Sequence, residues 1–140
     1  MKPLTFNAKK IESTSLPLFH SSIAAGYPSP ASSDIENEID ILELLLQHPE
    51  AMFFCRVTGD SMINAGIFHG DLLIVDSKTP PSHGDVVVAA IDGELTCKYL
   101  DLHRQCLLPG NEKYKPIRIP PNSDLIIEGI VKHSIRCHKH

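Results

Sequence analysis

Gly59-Asp60-Ser61-Met62 follows the apolar run from Met52 to Val57 after a single threonine, placing a serine where glycine lets the backbone turn sharply and be closely approached. Such a hydroxyl can be presented to a substrate, although most Gly-Asp-Ser triplets are ordinary Asx or Ser turns. A serine becomes a useful nucleophile only when a base removes its proton, and the known solutions are a histidine with an acidic partner or a neutral lysine. His69 and His83 each adjoin glycine in loop-like stretches, where a solvated or turn-bonding imidazole is the commoner outcome. Lys98 stands instead in the apolar segment from Glu94 to Leu100. There, loss of hydration penalises the ammonium, lowers its pKa and makes the neutral amine available. The plain alternative is a strand-edge lysine whose stem carries the charge out to water. Two other serine motifs are excluded: Ser61 is followed by Met-Ile-Asn rather than ending in lysine as in SxxK, and the second glycine of a nucleophile elbow is missing.

The element that must position Lys98 is a hairpin. Asp92-Gly93 lies between two β-rich runs and suits the positive backbone dihedrals of a two-residue type I′ turn. Pairing Ile91 with Glu94 sets Ala89 opposite Thr96 and Val87 opposite Lys98. Lys98 then shares a face with Val87, Ala89, Ile91, Thr96 and Leu100, few of which can solvate an ammonium. The other face carries Val86, Val88, Ala90, Leu95, Cys97 and Tyr99, so both sides of the ribbon are expected to be covered.

Around the hairpin, short apolar runs broken by turn residues, MFFCRV, LLIV, CLL, IRI and LIIEGIV, give an all-β pattern after Pro49. Ahead of it, Ser33 with Glu36 has capping-box spacing, and Ile35, Ile39, Leu42 and Leu46 recur at helical intervals until Pro49. This predicts one short helix. Residues 1–32 lack a sustained period, and Gly26, Pro28 and Pro30 favour an extended, accessible arm. The expected organisation is an arm over 1–32 and a β-domain over 33–140.

Composition narrows the classes. A chain of 140 residues with 42% hydrophobic and 21% charged residues has room for one ordinary folded domain. A net charge of -4 gives no general electrostatic grip on nucleic-acid phosphates, so no direct sequence-specific DNA binding is expected. The start, MKPLTFNAKK, has no secretory apolar core, and Val86 to Ile91 is too short to cross a bilayer, so the expected location is the cytoplasm without a membrane anchor. Cys55, Cys97, Cys106 and Cys137 fall at irregular separations, as suits reduced structural thiols. The tail Cys137-His138-Lys139-His140 has no second cluster to complete a metal site, and neither cofactor nor metal is expected. Met52, Phe53 and Phe54 fit a strand entering the core better than a partner surface.

The motifs GDSM, GDLLIVD and the hairpin ending in CKYL, with Ser61 and Lys98 separated by 37 residues, resemble the LexA-like serine-lysine autoproteases. Within them the similarity is greatest to the UmuD branch of the bacterial DNA-damage (SOS) response, through GYPSPA, DGELTCKYL and IIEGIVKH. The resemblance implies a compact, mainly β LexA/signal-peptidase-like fold with one short helix and an extended N-terminal arm. It also implies Ser61 as nucleophile, Lys98 as general base, and Ala25-Gly26 as the bond the protein cuts in itself. Ala25 stands where the UmuD branch often carries cysteine and the repressor branch alanine. A small side chain before the cut suits a tight pocket, and Gly26 lets the chain pass closely over Ser61.

By the same resemblance, the expected partners are a RecA filament on single-stranded DNA as activator, a Y-family polymerase catalytic subunit of the UmuC kind, and a second copy in a homodimer. The stretch before Ala25 is too short for a helix-turn-helix domain, so a repressor role is not expected. The competing reading is a non-catalytic β-domain binding module, with Ser61 capping a turn, Lys98 solvated, and the arm making dimer or partner contacts.

Overall fold

The computed structural model describes residues 4–5, 15–19, 35–121 and 125–139. Its contacts divide the chain into two units, one of Met1–Asn7 with His48–His140, the other of Ala8–Gln47.

In the smaller unit, β2 (Ser15–Phe19) pairs antiparallel with β3 (Ile35–Asp40), and α1 (Ile41–Leu45) follows at once. This corrects one expectation. Ser33 lies outside the described residues, and the stretch expected to begin the helix is strand: the helix is capped instead by Asp40, whose carboxylate accepts from the N–H groups of Leu42 and Glu43. Within 1–32, Leu4–Thr5 and Ser15–Phe19 are strand. Glu36, Glu38 and Asp40 recur with a strand's period of two, and pairing with β2 favours that reading over the helical spacing of Ile35, Ile39, Leu42 and Leu46. Pro17 is tolerated in β2 because a two-stranded sheet has only edge strands.

In the larger unit every apolar run after Pro49 becomes a strand. The elements are β4 (Met52–Arg56), β5 (Leu72–Asp76), β6 (Val86–Ile91), β7 (Glu94–Asp101), β8 (Cys106–Leu108), β9 (Ile117–Arg118) and β10 (Ile126–Ile135). With β1 (Leu4–Thr5) they form one sheet in the order β1-β4-β5-β10-β6-β7-β8-β9, all pairs antiparallel. The mainly β fold class stands.

The β6–β7 hairpin has the register its turn predicts, with Ile91 opposite Glu94 and Val87 opposite Lys98. Asp92 and Gly93 both take positive φ, 50° and 82°, as a type I′ turn demands. Each face of the ribbon feeds a core. Val88 and Cys97 pack with Cys55, Val57, Met62, Leu73 and Val75, while Val87, Ala89 and Leu100 pack with Leu107.

β10 lies between β5 and β6 and carries two register shifts, at Ile127/Gly129 and at Val131/His133. Bulges bend a strand and increase its twist. The segment carrying Ser61 joins β4 to β5, and β10 and β6 separate β5 from the Lys98 strand, so the sheet must curl across β10 to bring the two side chains together. At the first bulge the close approach of β10 to β5 requires Gly129. A Cβ there would sit 2.7 Å from both the Asp76 carbonyl oxygen and Val75 Cγ1. Gly129→Ala should therefore destabilise the larger unit by about 2 kcal/mol, the usual scale of overpacking, seen as a lower denaturant midpoint. An unchanged midpoint would show that β10 yields there without strain.

Candidate active site

Ser61 follows Gly59, which adopts φ 85°, and precedes a single 3₁₀ turn over Ile63–Ala65. Lys98 lies within β7, paired with Val87 of β6 and one residue before β7 begins to pair with β8 at Tyr99. Across these elements Lys98 Nζ lies 2.9 Å from Ser61 Oγ, 3.0 Å from Thr96 Oγ1 and 3.0 Å from the Cys97 carbonyl oxygen. The three acceptors match the three N–H bonds of an ammonium. In the neutral amine one of those directions becomes a lone pair, and Ser61, whose hydroxyl can donate, is the one partner of the three besides Thr96 able to answer it.

Lys98 is only 7% exposed. Burial holds its pKa below the usual lysine value, partly offset by the Cys97 thiol beside it. The nearby thiols move the opposite way: burial pushes Cys97 up to about 12 and Cys55 up to about 11, so neither offers a thiolate nucleophile at neutral pH.

The two histidines weighed as alternative bases are engaged elsewhere. His69 Nδ1 accepts from the Gly59 N–H at 3.1 Å, bracing the turn without touching Ser61. His83 Nδ1 accepts from the Leu102 N–H at 3.1 Å, and its ring stacks on His103 with centroids 3.9 Å apart. Cys55, Cys97 and Cys106 are buried free thiols, and Cys137 is exposed. Among the described residues no group of three or more histidine, cysteine, aspartate or glutamate side chains is placed to hold a metal, and no helix is long and apolar enough to cross a membrane. Ala25, Gly26 and His140 lie outside the described residues.

A cleft of about 70 Å³ opens beside Ser61, lined by Val57, Thr58, Met62, Leu95, Thr96 and Cys97. It has room for a small side chain. On another side of the turn, the Pro109–Tyr114 loop makes a set of bonds: Gly110 N–H to the Ser61 carbonyl at 2.7 Å, Asn64 N–H to the Gly110 carbonyl at 2.8 Å, and Asn111 Nδ2 to the Asp60 carbonyl at 2.9 Å. Tyr114 Oη donates to Asp60 Oδ1.

Of these, Thr96 was within reach of sequence reasoning as a partner for Lys98, because period-two spacing sets it on the same face. The loop residues were not: Gly110, Asn111 and Tyr114 meet the turn from about fifty positions away, and no local pattern marks that meeting.

The chain is similar to a known family model and to several named proteins. A family model described as Peptidase S24-like matches residues 17–132. Protein MucA of Salmonella typhimurium is 40% identical over 126 residues, covering 89% of this chain and 86% of the relative. Protein ImpA of Shigella flexneri is 42% identical, covering 85% of this chain and 82% of the relative. A LexA repressor of Alcanivorax borkumensis is 43% identical over 81% of this chain but only 56% of its own length.

The environment of Lys98 makes a titration prediction. Followed by the ¹³Cε shift, Lys98 should lose its proton below the ordinary value of 10.5, because burial disfavours the charged form. Thr96→Val, which removes one acceptor of the ammonium, should move the midpoint further down. A lysine titrating at or above 10.5 in the wild-type chain would mean that the amine is hydrated.

Proposed function

This chain belongs to the Peptidase S24-like family, as a UmuD-like, LexA-like member with an SOS-related role, and on that premise we propose that it is a serine-lysine endopeptidase that cuts its own Ala25-Gly26 bond. The observation that carries this reading is the 2.9 Å contact between a buried, desolvated lysine amine and the Ser61 hydroxyl.

In the proposed reaction Lys98 takes the Ser61 proton as Oγ attacks the Ala25 carbonyl carbon. A tetrahedral intermediate forms, its oxyanion held by main-chain N–H groups at the nucleophile turn. Among the described residues neither the Ser61 nor the Met62 N–H donates a hydrogen bond, which leaves both available. Lys98 then gives its proton to the Gly26 nitrogen, the peptide bond breaks, and Gly26 departs as a new amino terminus. Water, deprotonated by the same amine, hydrolyses the Ala25 ester and restores Ser61. The small cleft beside Ser61 suits the alanine methyl.

A substrate on the same chain has a high effective concentration, so latency has to come from geometry or protonation. In this reading the arm spends most of its time away from Ser61 with Lys98 protonated, and a RecA filament on single-stranded DNA favours the docked state. The processed protein, as a homodimer in the cytoplasm, then joins a Y-family polymerase catalytic subunit of the UmuC kind to copy past lesions.

Mass spectrometry tests the core of this. Incubation at alkaline pH should by itself release a fragment beginning at Gly26, at a rate rising with the neutral fraction of Lys98 and levelling above its pKa. Ser61→Ala, Lys98→Ala and Lys98→Arg should stay folded and intact, arginine because its guanidinium remains protonated. Gly26→Leu should block scission without altering the stability of the larger unit. An intact wild-type chain at every pH, with and without activated filament, would leave a binding module as the better reading. Mixing a Ser61→Ala chain with a Gly26→Leu chain distinguishes the routes: a fragment from the former means cutting between molecules.

A further inference from the structure

The Pro109–Tyr114 loop bonds to the peptide units on both sides of the Ser61 α-carbon, and this has a consequence for the donors at the nucleophile. A trans peptide is planar, with its C=O and N–H pointing in opposite directions. Whatever holds the carbonyl of one residue therefore sets the direction of the next residue's N–H. Asn111 Nδ2 holds the Asp60 carbonyl at 2.9 Å, and the N–H of that peptide belongs to Ser61. Gly110 N–H holds the Ser61 carbonyl at 2.7 Å, and the N–H of that peptide belongs to Met62. We propose that Asn111 is a positioning residue for the self-cleavage reaction: by pinning the Asp60 carbonyl it aims the Ser61 N–H at the site of the developing oxyanion, with Tyr114 steadying the same residue through the Asp60 carboxylate.

The surroundings of Asn111 fit this assignment better than a role as a loop brace alone. It is a buried polar residue, 6% exposed, and both ends of its amide are used: Nδ2 on Asp60, Oδ1 accepting from the Lys113 N–H at 3.0 Å. The second bond folds the loop back on itself and fixes the amide's orientation, so the donor end has one direction to point. Tyr114 N–H closes the same turn on the Asn111 carbonyl at 3.1 Å, which carries the phenol over Asp60. Close packing leaves little slack: a Cβ on Gly110 would come within 3.2 Å of Met62 Cα and 3.4 Å of both Met62 Sδ and Tyr99 Cε2. Oxyanion donors act only when aimed before the charge appears, so a freely swinging Ser61 peptide would lose part of their effect without disturbing the base.

The inference rests on Ser61 being the nucleophile, and the experiment separates the two. In the ¹⁵N-labelled full chain, Asn111→Asp keeps the side chain's shape and its acceptor for Lys113 but removes the donor; Tyr114→Phe removes only a hydroxyl from a half-exposed ring and serves if the first variant does not fold. The Ser61 amide signal should move in both variants. The plateau rate of alkaline scission should fall on the order of tenfold in Asn111→Asp and less in Tyr114→Phe, with the pH midpoint set by Lys98 unchanged. An unmoved Ser61 amide overturns the inference, as does a wild-type plateau rate. A rate loss that comes with a shifted midpoint overturns it too, since the residue then acts through the base. If the wild-type chain never cuts, the proposed function fails, and the Ser61 amide alone still decides whether Asn111 aims that peptide.

Discussion

The structure turns on one contact, a lysine amine stripped of most of its water and held against a serine hydroxyl. Taking an ammonium out of water is costly unless its hydrogen-bonding directions are met. Here they are met by Ser61, Thr96 and the Cys97 carbonyl, so Lys98 is accommodated in the interior while its proton is held less firmly than in solution. A hydrated lysine would be the wrong base at neutral pH, and a buried lysine with unmet donors would cost the fold more than it returned.

Much of the sheet can be understood as the means to that contact. β6 and β7 bury both faces of their ribbon, which removes water from around Lys98. The bulged β10, with Gly129 pressed against Asp76 and Val75, gives the sheet the bend that carries the β4–β5 segment toward β7. The Ser61 turn is then held from two directions, by His69 on Gly59 and by the Pro109–Tyr114 loop on Asp60 and Ser61. Support of this kind limits the freedom of the Ser61 hydroxyl beside Lys98.

Where local pattern and tertiary pairing conflicted, pairing prevailed. Ile35, Ile39, Leu42 and Leu46 have helical spacing, and a helix does form, but only over Ile41–Leu45 behind the Asp40 cap. Residues 35–40 satisfy their backbone groups against β2 instead. A five-residue helix supplies little hydrogen bonding of its own, and a periodicity signal has no term for a strand partner some twenty residues earlier. The hairpin shows the opposite case. There the turn chemistry of Asp92-Gly93, the β-branched run before it and the facing residues all favour one register, and the chain adopts it.

What the sequence determined by itself was therefore whatever is local. Turn residues and period-two runs set seven strands and the pairing of Lys98 with Val87, and the chemical poverty of that face marked the lysine as the base to weigh. The tertiary structure alone decided what depends on distant segments meeting in space. It decided that Ser61 and Lys98 come within hydrogen-bond reach across two intervening strands, and that Asn111 and Tyr114 grip the Ser61 turn. No run of neighbouring residues encodes such contacts, because they follow from how far a whole sheet curls.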